Sequence, residues 1–380
     1  MHLQPHHRIA ILLHNGITGA KGKTGLALLR YSQNPIAVVI DETCTGQPIQ
    51  SLTGIDRNVP IVATMREALA HRPDVLAIGL APSGGRLPDP WIEDVRVAIA
   101  SGLSIMNGLH TYFNDDPSLT QHLDPVRYPH QWIWDMRQEP TGLSVGTGKA
   151  RHLNCRRVLT VGTDMAVGKM STCIELNQAT QTRGLRSQLI ATGQTALMLG
   201  APGIALDAVR VDFAAGAVEQ AILTHSQDKD ILYVEGQGSL LNPASTATLP
   251  LLRGSQPTHL VLVHKIHLEK IQHFPEFGIP PIQKVIHLYQ TVAAAGGTFT
   301  VPKIAGIALN TFGADEGVAK TAIQTLSQTT GLPCADVVRF SPNPILRPFS
   351  TIEATKYRTL VRHFRSSKTT ASITSYANDR

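Results

Sequence analysis

One segment constrains the fold more than any other: VLTVGTDMAVGKMSTCIEL at residues 158–176. An apolar run leads into Gly162, five residues follow, then come Gly168 and Lys169 and a helical pattern that ends near Gly184. Backbone N–H groups of such a loop wrap an anion, the helix N-terminus adds a partial positive charge, and the lysine adds a full one. The sequence therefore predicts a strand, a phosphate-binding loop and a helix.

This loop departs from the usual P-loop pattern, G-x4-G-K-[ST], in two ways. It is one residue longer after the first glycine, and Met170 stands where a Ser or Thr hydroxyl would hold Mg²⁺. Ser171 and Thr172 are the nearest hydroxyls, so phosphate binding is predicted but ATP hydrolysis is not. A tight turn with an ordinary surface lysine is the alternative. The predicted ligand-binding residues are Gly162, Thr163, Asp164, Gly168, Lys169, Met170, Ser171 and Thr172.

The apolar pattern predicts an α/β fold with parallel sheets, because short continuous apolar runs alternate with helical spacing. In the first part of the chain the predicted strands are residues 8–13, 36–40, 61–63, 75–78 and 103–106. In the second part they are residues 157–161, 188–191, 231–234, 259–263 and 304–309, with a further strand expected at Val211 and Asp212. A Gly-, Thr- and Ser-rich stretch at residues 138–154 separates the two series. We predict an N-terminal Rossmann-like domain over 1–150, a P-loop α/β domain over 151–365 and a flexible tail over 366–380.

A second glycine loop lies near the N-terminus. Gly16 is followed after five residues by Gly22, Lys23 and Thr24, and Asp41 closes the next strand. This arrangement resembles a Rossmann unit in which a strand-end acid binds a ribose hydroxyl. The alternative is structural, with glycines for tight turns and Asp41 as a cap, and the sequence leaves both open.

Parallel α/β sheets bind ligands at the carboxyl ends of their strands, so polar residues at those positions are candidates. Glu235 stands where a Walker-B-type carboxylate belongs, or is a turn acid. His264 is a candidate general base, or a structural histidine. Arg86 is a candidate for binding a substrate carboxylate, and the alternative is an ordinary solvent-exposed arginine. The remaining candidates for substrate contact are Gln194, Lys265 and Asn310.

Composition excludes several classes of protein. The net charge of +6 arises from residues 339–368, which contain seven basic residues and one acidic residue. Because the excess is confined to this segment, we expect no nucleic-acid partner. Ser350 to Glu353 read as a capping box that opens a basic helix there. The longest apolar runs are too short to span a membrane. The four cysteines lack metal-ligand spacing, and we expect a reduced, cytoplasmic protein with no metal site.

Together, the strand-end motifs resemble those of the D-glutamate N-acetyltransferase family over most of the chain. The motifs that carry the resemblance are Lys23-Thr24, Gly84-Gly85-Arg86, Gly108-Leu109-His110, Gly162-Thr163-Asp164, Gly168-Lys169, Thr192-Gly193-Gln194-Thr195, Asp212-Phe213, Glu235-Gly236-Gln237-Gly238-Ser239 and His264-Lys265. The resemblance implies a Rossmann-like domain, a P-loop domain, and transfer of an acetyl group from acetyl-CoA to the amine of D-glutamate.

These residues suit such a reaction. Glu235 is the first candidate for the base that takes the proton from the amine, and His264 is the second. N–H groups near Gly236 to Ser239 would stabilise the oxyanion. Lys265 or Arg86 would hold the carboxylates of the acid.

Two alternatives remain at this point. The Gly-Thr-Asp loop is also similar to that of dethiobiotin-synthetase-like enzymes, which makes an ATP-dependent ligase or kinase the second hypothesis. Mg²⁺ is expected only if a nucleoside triphosphate binds. The third hypothesis is a non-catalytic nucleotide- or CoA-binding protein. In each case we expect a homo-oligomer that binds a small molecule.

Overall fold

The computed structural model describes residues 3–19, 21–82 and 85–349. These residues form two compact units. The first comprises the described residues up to Val145 together with Ala191–Ala217, and the second comprises Gly146–Ile190 together with the described residues from Val218 on. The domain boundaries predicted from sequence stay a prediction. The predicted tail over 366–380 and the basic helix predicted from Ser350 lie outside the described residues.

Both units are built on parallel sheets. The strands of the first unit are β1 (Ile9–Leu12), β2 (Ile36–Ile40), β3 (Ile61–Val62), β4 (Val75–Ile78), β5 (Ser104–Asn107) and β6 (Ile133–Asp135). They pair in the order β3-β2-β1-β4-β5-β6. The strands of the second unit are β7 (Arg156–Gly162), β8 (Ser187–Ile190), β9 (Ile231–Val234), β10 (His259–Lys265), β11 (Lys270–Ile271), β12 (Phe274–Gly278), β13 (Lys303–Asn310) and β14 (Cys334–Ala335). Six of them form a sheet in the order β14-β13-β10-β7-β9-β8, and β11 and β12 form an antiparallel hairpin.

Helices connect these strands. They are α1 (Lys23–Tyr31), α2 (Ile49–Thr53), α3 (Met65–Ala68), α4 (Asp89–Ala100), α5 (Pro117–Thr120), α6 (Lys169–Thr182), α7 (Gln194–Met198), α8 (Val211–His225), α9 (Thr248–Ser255), α10 (Ile282–Ala294), α11 (Glu316–Thr330) and α12 (Asn343–Leu346). Short 3₁₀ turns cover Leu69–His71, Lys149–His152, Leu206–Ala208, Ala295–Gly297 and Arg347–Phe349. Among the described residues, no helix is both long and apolar enough to cross a membrane.

The central strands are buried along their whole length, which explains their unbroken apolar sequences. Every residue of β1, β4 and β9 is buried. A strand covered by helices on both faces cannot alternate apolar and polar side chains, so it reads as a continuous run. The α/β class with parallel sheets is therefore confirmed.

The prediction of a strand at Val211 and Asp212 is wrong, because α8 begins there. The β-branched Val209 and Val211 suggested extended chain, but the residues after them favour a helix. An acidic residue in the first turn is stabilised by the helix dipole, and the following AAGAVEQAIL is rich in good helix formers.

The N-terminal glycine loop folds tightly on itself. A Cβ atom on Gly22 would collide with the carbonyl oxygen of Gly16. Asp41 is fully buried, and its Oδ1 accepts hydrogen bonds from the Thr43 N–H and hydroxyl at 3.0 and 2.7 Å, while its Oδ2 accepts one from the Ile17 N–H at 3.4 Å. Both features left open by the sequence thus have a structural explanation.

Helix α7 lies against the start of α1 in this unit. The hydroxyls of Thr24 and Thr195 are both buried and hydrogen-bonded to each other at 3.1 Å. The N-terminus of α1, where a Rossmann unit would hold a pyrophosphate, therefore contacts protein.

Replacement of Gly22 by alanine should destabilise the first unit, because the backbone must shift to admit a Cβ; overpacking of this kind costs about 1–3 kcal/mol. Urea unfolding followed by circular dichroism should show a lower midpoint. Gly317→Ala is the matched control: a Cβ there meets nothing within 4 Å, and alanine favours the helix. Equal midpoints for the two variants would contradict the close packing of the loop.

Candidate phosphate-binding site

The loop between β7 and α6 presents free N–H groups at the start of a helix. The N–H groups of Ala166, Val167 and Gly168 have no hydrogen-bond partner among the described residues. Gly168 has a φ of 112°, in the left-handed region, and helix α6 begins at the next residue. The first N–H groups of a helix also lack intrahelical partners. The donors therefore converge where an anion is stabilised by the helix dipole.

Lys169 folds back over this loop. Its side chain is buried, and its Nζ donates a hydrogen bond to the carbonyl oxygen of Asp164 at 2.7 Å. Its aliphatic part passes Gly236, where an added Cβ atom would lie 3.0 Å from Lys169 Cδ. The predicted positive charge is thus at the phosphate-binding loop.

Asp164 shapes the loop through its carboxylate. Its Oδ1 accepts hydrogen bonds from the Met165 N–H and from Asn242 Nδ2, both at 2.7 Å, and its Oδ2 accepts one from the Gln272 N–H at 2.7 Å. The side chain is fully buried. Its three bonds hold the loop against two neighbouring segments, the turn around Asn242 and the hairpin of β11 and β12.

The side chain directly after Lys169 is not a preferred ligand of magnesium. Met170 is the second residue of α6 and offers a thioether, whereas Mg²⁺ prefers oxygen ligands. Thr172 lies further into the helix and is buried. Within the described part of the chain, no group of three or more His, Cys, Asp or Glu side chains is arranged to hold a metal ion.

Glu235 directly follows β9, the strand next to β7, and is 3% exposed. The following N–H, of Gly236, donates to Thr160 Oγ1 at 2.9 Å, and a Cβ there would collide with the Thr160 carbonyl. Burial raises the pKa of the Cys173 thiol in α6, and the negative charge of Glu235 raises it further. The carboxylate therefore lies close to α6 and to the phosphate-binding loop.

The loop after Glu235 keeps two N–H groups free. The N–H groups of Gly236 and Ser239 are hydrogen-bonded within the protein, the latter to Ser245 Oγ at 2.9 Å. Those of Gln237 and Gly238 have no partner in the part of the chain that the structure describes. The N–H groups of residues 236–239 were considered from the sequence as donors to an oxyanion. Of these four, the N–H groups of Gln237 and Gly238 are the two available to a ligand.

One carbonyl ties the two loops together. The Gly162 oxygen accepts hydrogen bonds from Tyr289 hydroxyl at 2.7 Å and from Ser239 Oγ at 2.9 Å. The Tyr289 hydroxyl also accepts one from the Leu240 N–H at 3.1 Å, and burial raises its pKa. Sequence reasoning missed Tyr289, because a tyrosine in the middle of an amphipathic helix carries no signal of such contacts.

His264 and Asn310 flank the phosphate-binding loop on its other side. The His264 Nδ1 is hydrogen-bonded to Thr163 Oγ1 at 2.9 Å, and burial lowers the pKa of His264 to about 4. Asn310 Nδ2 donates to the Val167 carbonyl at 3.0 Å. Lys265, the last residue of β10, is half-buried, and its ammonium has no hydrogen-bond or ion-pair partner among the described residues.

Two further candidates belong to the first unit. Arg86 is exposed and forms a weak ion pair with Asp89 at 3.4 Å. Gln194 opens α7, and a Cβ on Gly108 would lie 2.9 Å from its Cγ. The substrate roles predicted for both stay predictions.

The fold and the site define a two-domain α/β protein with a phosphate-binding loop in its second domain. A family model described as the P-loop domain of DUF1611, a domain of unknown function, matches residues 144–346. The model of the family's N-terminal Rossmann-like domain matches residues 42–139. The chain belongs to the DUF1611 family. The expected order, a Rossmann-like domain followed by a P-loop domain, is confirmed.

Named relatives and a solved structure support this assignment. A protein of Pseudoalteromonas sp. named D-glutamate N-acetyltransferase is 34% identical over 266 residues, 69% of this chain and 77% of the relative. A protein of the same name from Tritonibacter scottomollicae is 32% identical over 292 residues, 76% of this chain and 85% of the relative. The crystal structure of a DUF1611 family protein from Anabaena variabilis has a TM-score of 0.86 and 55% identity, and the match covers 90% of this chain and 98% of that one.

The low pKa of His264 makes stability depend on pH. Its folded pKa of about 4 lies below the ordinary 6.5, so between these values the unfolded chain binds more protons. This histidine leaves stability unaffected above pH 6.5 and reduces it as pH falls toward 4, by about 2 kcal/mol at pH 5. The His264→Asn variant should lose less stability than the parent between pH 7 and pH 5 in urea titrations. The exposed His287→Asn is the control. A parent-like loss in His264→Asn would contradict this account.

Proposed function

We propose that this protein is an N-acetyltransferase that transfers the acetyl group of acetyl-CoA to the amine of D-glutamate. The observation that carries the proposal is the phosphate-binding loop without a magnesium ligand, found in a chain whose relatives are named D-glutamate N-acetyltransferase. An ATP-dependent ligase or kinase would need Mg²⁺ at the position of Met170.

Coenzyme A suits this loop. It carries a pyrophosphate and a 3′-phosphate, and an acyl transfer leaves these groups intact. The N–H groups of Ala166, Val167 and Gly168, which have no partner among the described residues, and the ammonium of Lys169 supply donors and positive charge for a phosphate. A loop that only holds phosphates has no need of a metal-binding hydroxyl.

The transfer needs a proton acceptor. The amine loses a proton and attacks the thioester carbonyl, a C–N bond forms, and the C–S bond breaks to release coenzyme A as thiolate, which takes up a proton. His264 is a weak acceptor, because burial lowers its pKa to about 4 and its Nδ1 is bonded to Thr163. Glu235, at the end of the strand beside the loop, is the proposed base.

The tetrahedral intermediate carries a negative oxygen. We assign its stabilisation to the N–H groups of Gln237 and Gly238, which follow Glu235 and are free of internal hydrogen bonds among the described residues. Lys265 is the proposed partner for a carboxylate of the acceptor, since its ammonium has no ion-pair partner in the described part of the chain.

The proposed activity is tested by thiol release. Purified protein with acetyl-CoA and D-glutamate should release free thiol and form N-acetyl-D-glutamate, with L-glutamate as the stereochemical control. Glu235→Gln should lower kcat by about 10²-fold or more, while the exposed Glu276→Gln should not. Turnover that survives in Glu235→Gln would point to a contaminant or another base. No product with either enantiomer would refute the proposal.

Removal of the Lys169 ammonium should weaken donor binding. Lys169→Ala should raise the KM for acetyl-CoA about tenfold or more, because a charge-assisted bond to phosphate contributes about 1.5–3 kcal/mol. Lys303→Ala, an exposed lysine at the opposite end of β13, should leave KM unchanged. Addition of EDTA should alter neither value, and a loss of binding in EDTA would instead support the metal-dependent alternative.

A further inference from the structure

An exposed aromatic and basic surface follows the last two strands of the second unit. Phe312, in the loop after β13, is 80% exposed, and Phe340, in the loop after β14, is 39% exposed. The guanidinium carbon of Arg339 lies 5.4 Å from the centre of the Phe340 ring, and the Nζ of Lys320 lies 5.8 Å from it. We call Phe312, Lys320, Arg339 and Phe340 the aromatic patch.

The aromatic patch is joined to the phosphate-binding loop through one amide. Asn310 Nδ2 donates to the carbonyl of Val167, and its Oδ1 accepts a hydrogen bond from the Phe312 N–H, each at 3.0 Å. A Cβ on Gly168 would lie 3.4 Å from the same Nδ2. Any ligand held by the loop therefore lies close to the backbone that carries Phe312.

The patch is also held in place from the side of β14. Asp336 Oδ2 accepts hydrogen bonds from the Thr311 N–H and hydroxyl at 2.8 and 2.6 Å, and its Oδ1 accepts the N–H groups of Val338 and Arg339. Arg339 Nη1 donates to the carbonyl of Ala314 at 2.6 Å. These bonds fix both loops before a ligand arrives, so Phe312 is exposed on an ordered backbone.

Strand order sets the direction of a ligand that crosses this edge. In the sequence of strands β14-β13-β10-β7-β9, the phosphate-binding loop follows β7. Glu235 lies one strand to one side of β7, and Phe312 lies two strands to the other, about 10 Å away at the usual spacing. For a donor with its phosphates on the loop and its thioester at Glu235, the proposed base, the adenosine end would lie toward Phe312.

We propose that the aromatic patch binds the adenine ring and 3′-phosphate of the acyl donor, with the ring stacked on Phe312. This inference rests on the proposed function for the donor. Purine rings stack on aromatic side chains, and Arg339 supplies positive charge for the phosphate, whereas Lys320 is ion-paired with Glu316. The guanidinium of Arg339 beside the Phe340 ring suits an anionic aromatic ligand.

A comparison of two acetyl donors distinguishes stacking of adenine on Phe312 from a purely structural role of this side chain. Phe312→Ala in the full chain should raise the KM for acetyl-CoA about tenfold, yet leave kcat/KM unchanged for acetyl-pantetheine, which lacks the adenosine and its phosphates. Phe312→Trp should restore the parent KM. Phe277→Ala, which removes another half-exposed phenylalanine, is the matched control. An equal effect on both donors, or none on acetyl-CoA, would overturn the proposal.

Direct binding keeps the inference separate from the acetyl-transfer reaction. Calorimetry with adenosine 3′,5′-bisphosphate should show binding that is weakened about tenfold in Phe312→Ala, even if no acetyl transfer occurs. ADP in a parallel titration shows whether the 3′-phosphate contributes. Unchanged affinity for both nucleotides would refute the patch as an adenine site. A change of oligomeric state in Phe312→Ala on size exclusion would also refute it, and would assign the surface to contacts between copies.

Discussion

The carbonyl oxygen of Gly162 is the point on which the candidate site depends. It lies at the end of β7 and accepts two side-chain hydrogen bonds, from Tyr289 and Ser239. A buried carbonyl with no partner would cost free energy, so these bonds stabilise the turn at the start of the phosphate-binding loop. Since Ser239 belongs to the loop after Glu235, the same bonds hold the proposed base beside the proposed phosphate site. Loss of either partner would loosen both loops together.

Two loops of this chain share a spacing but differ in geometry. Each has a glycine, five residues, and then a glycine and a lysine. In the second unit Gly168 has a φ of 112°, and the N–H groups of Ala166, Val167 and Gly168 have no hydrogen-bond partner in the part of the chain that the structure describes. In the first unit Gly22 has a φ of −88° and packs on the Gly16 carbonyl, so the loop closes on itself. The backbone conformation of one glycine therefore distinguishes an open cradle from a closed turn.

Much of the fold could be predicted from the sequence, because burial leaves a direct trace in it. Strands covered on both faces read as continuous apolar runs, and those at Val75–Ile78 and Ile231–Val234 were predicted with the bounds observed. The start of α8 could not be predicted, because the β-branched Val209 and Val211 favour extended chain locally, and the helix overrides that preference. Glu235, His264 and Asn310, which the structure places around the phosphate-binding loop, were predicted from their position at strand ends. Tyr289, Asn242 and Asp336 were not, because they act through bonds to backbone far away in sequence.

The sequence by itself determined the α/β class, the phosphate-binding loop and the presence of Met170 where a P-loop usually has a hydroxyl. Each of these depends only on which residue types follow one another along the chain. Only the tertiary structure decided which groups are free to act. It showed that the carboxylates of Asp164 and Asp41 are occupied by internal hydrogen bonds and that Gln237 and Gly238 keep free N–H groups among the described residues. The reason is that hydrogen-bond partners are set by the packing of distant segments. Spacing along the chain predicts that a polar group reaches the sheet edge but not whether another part of the protein already binds it.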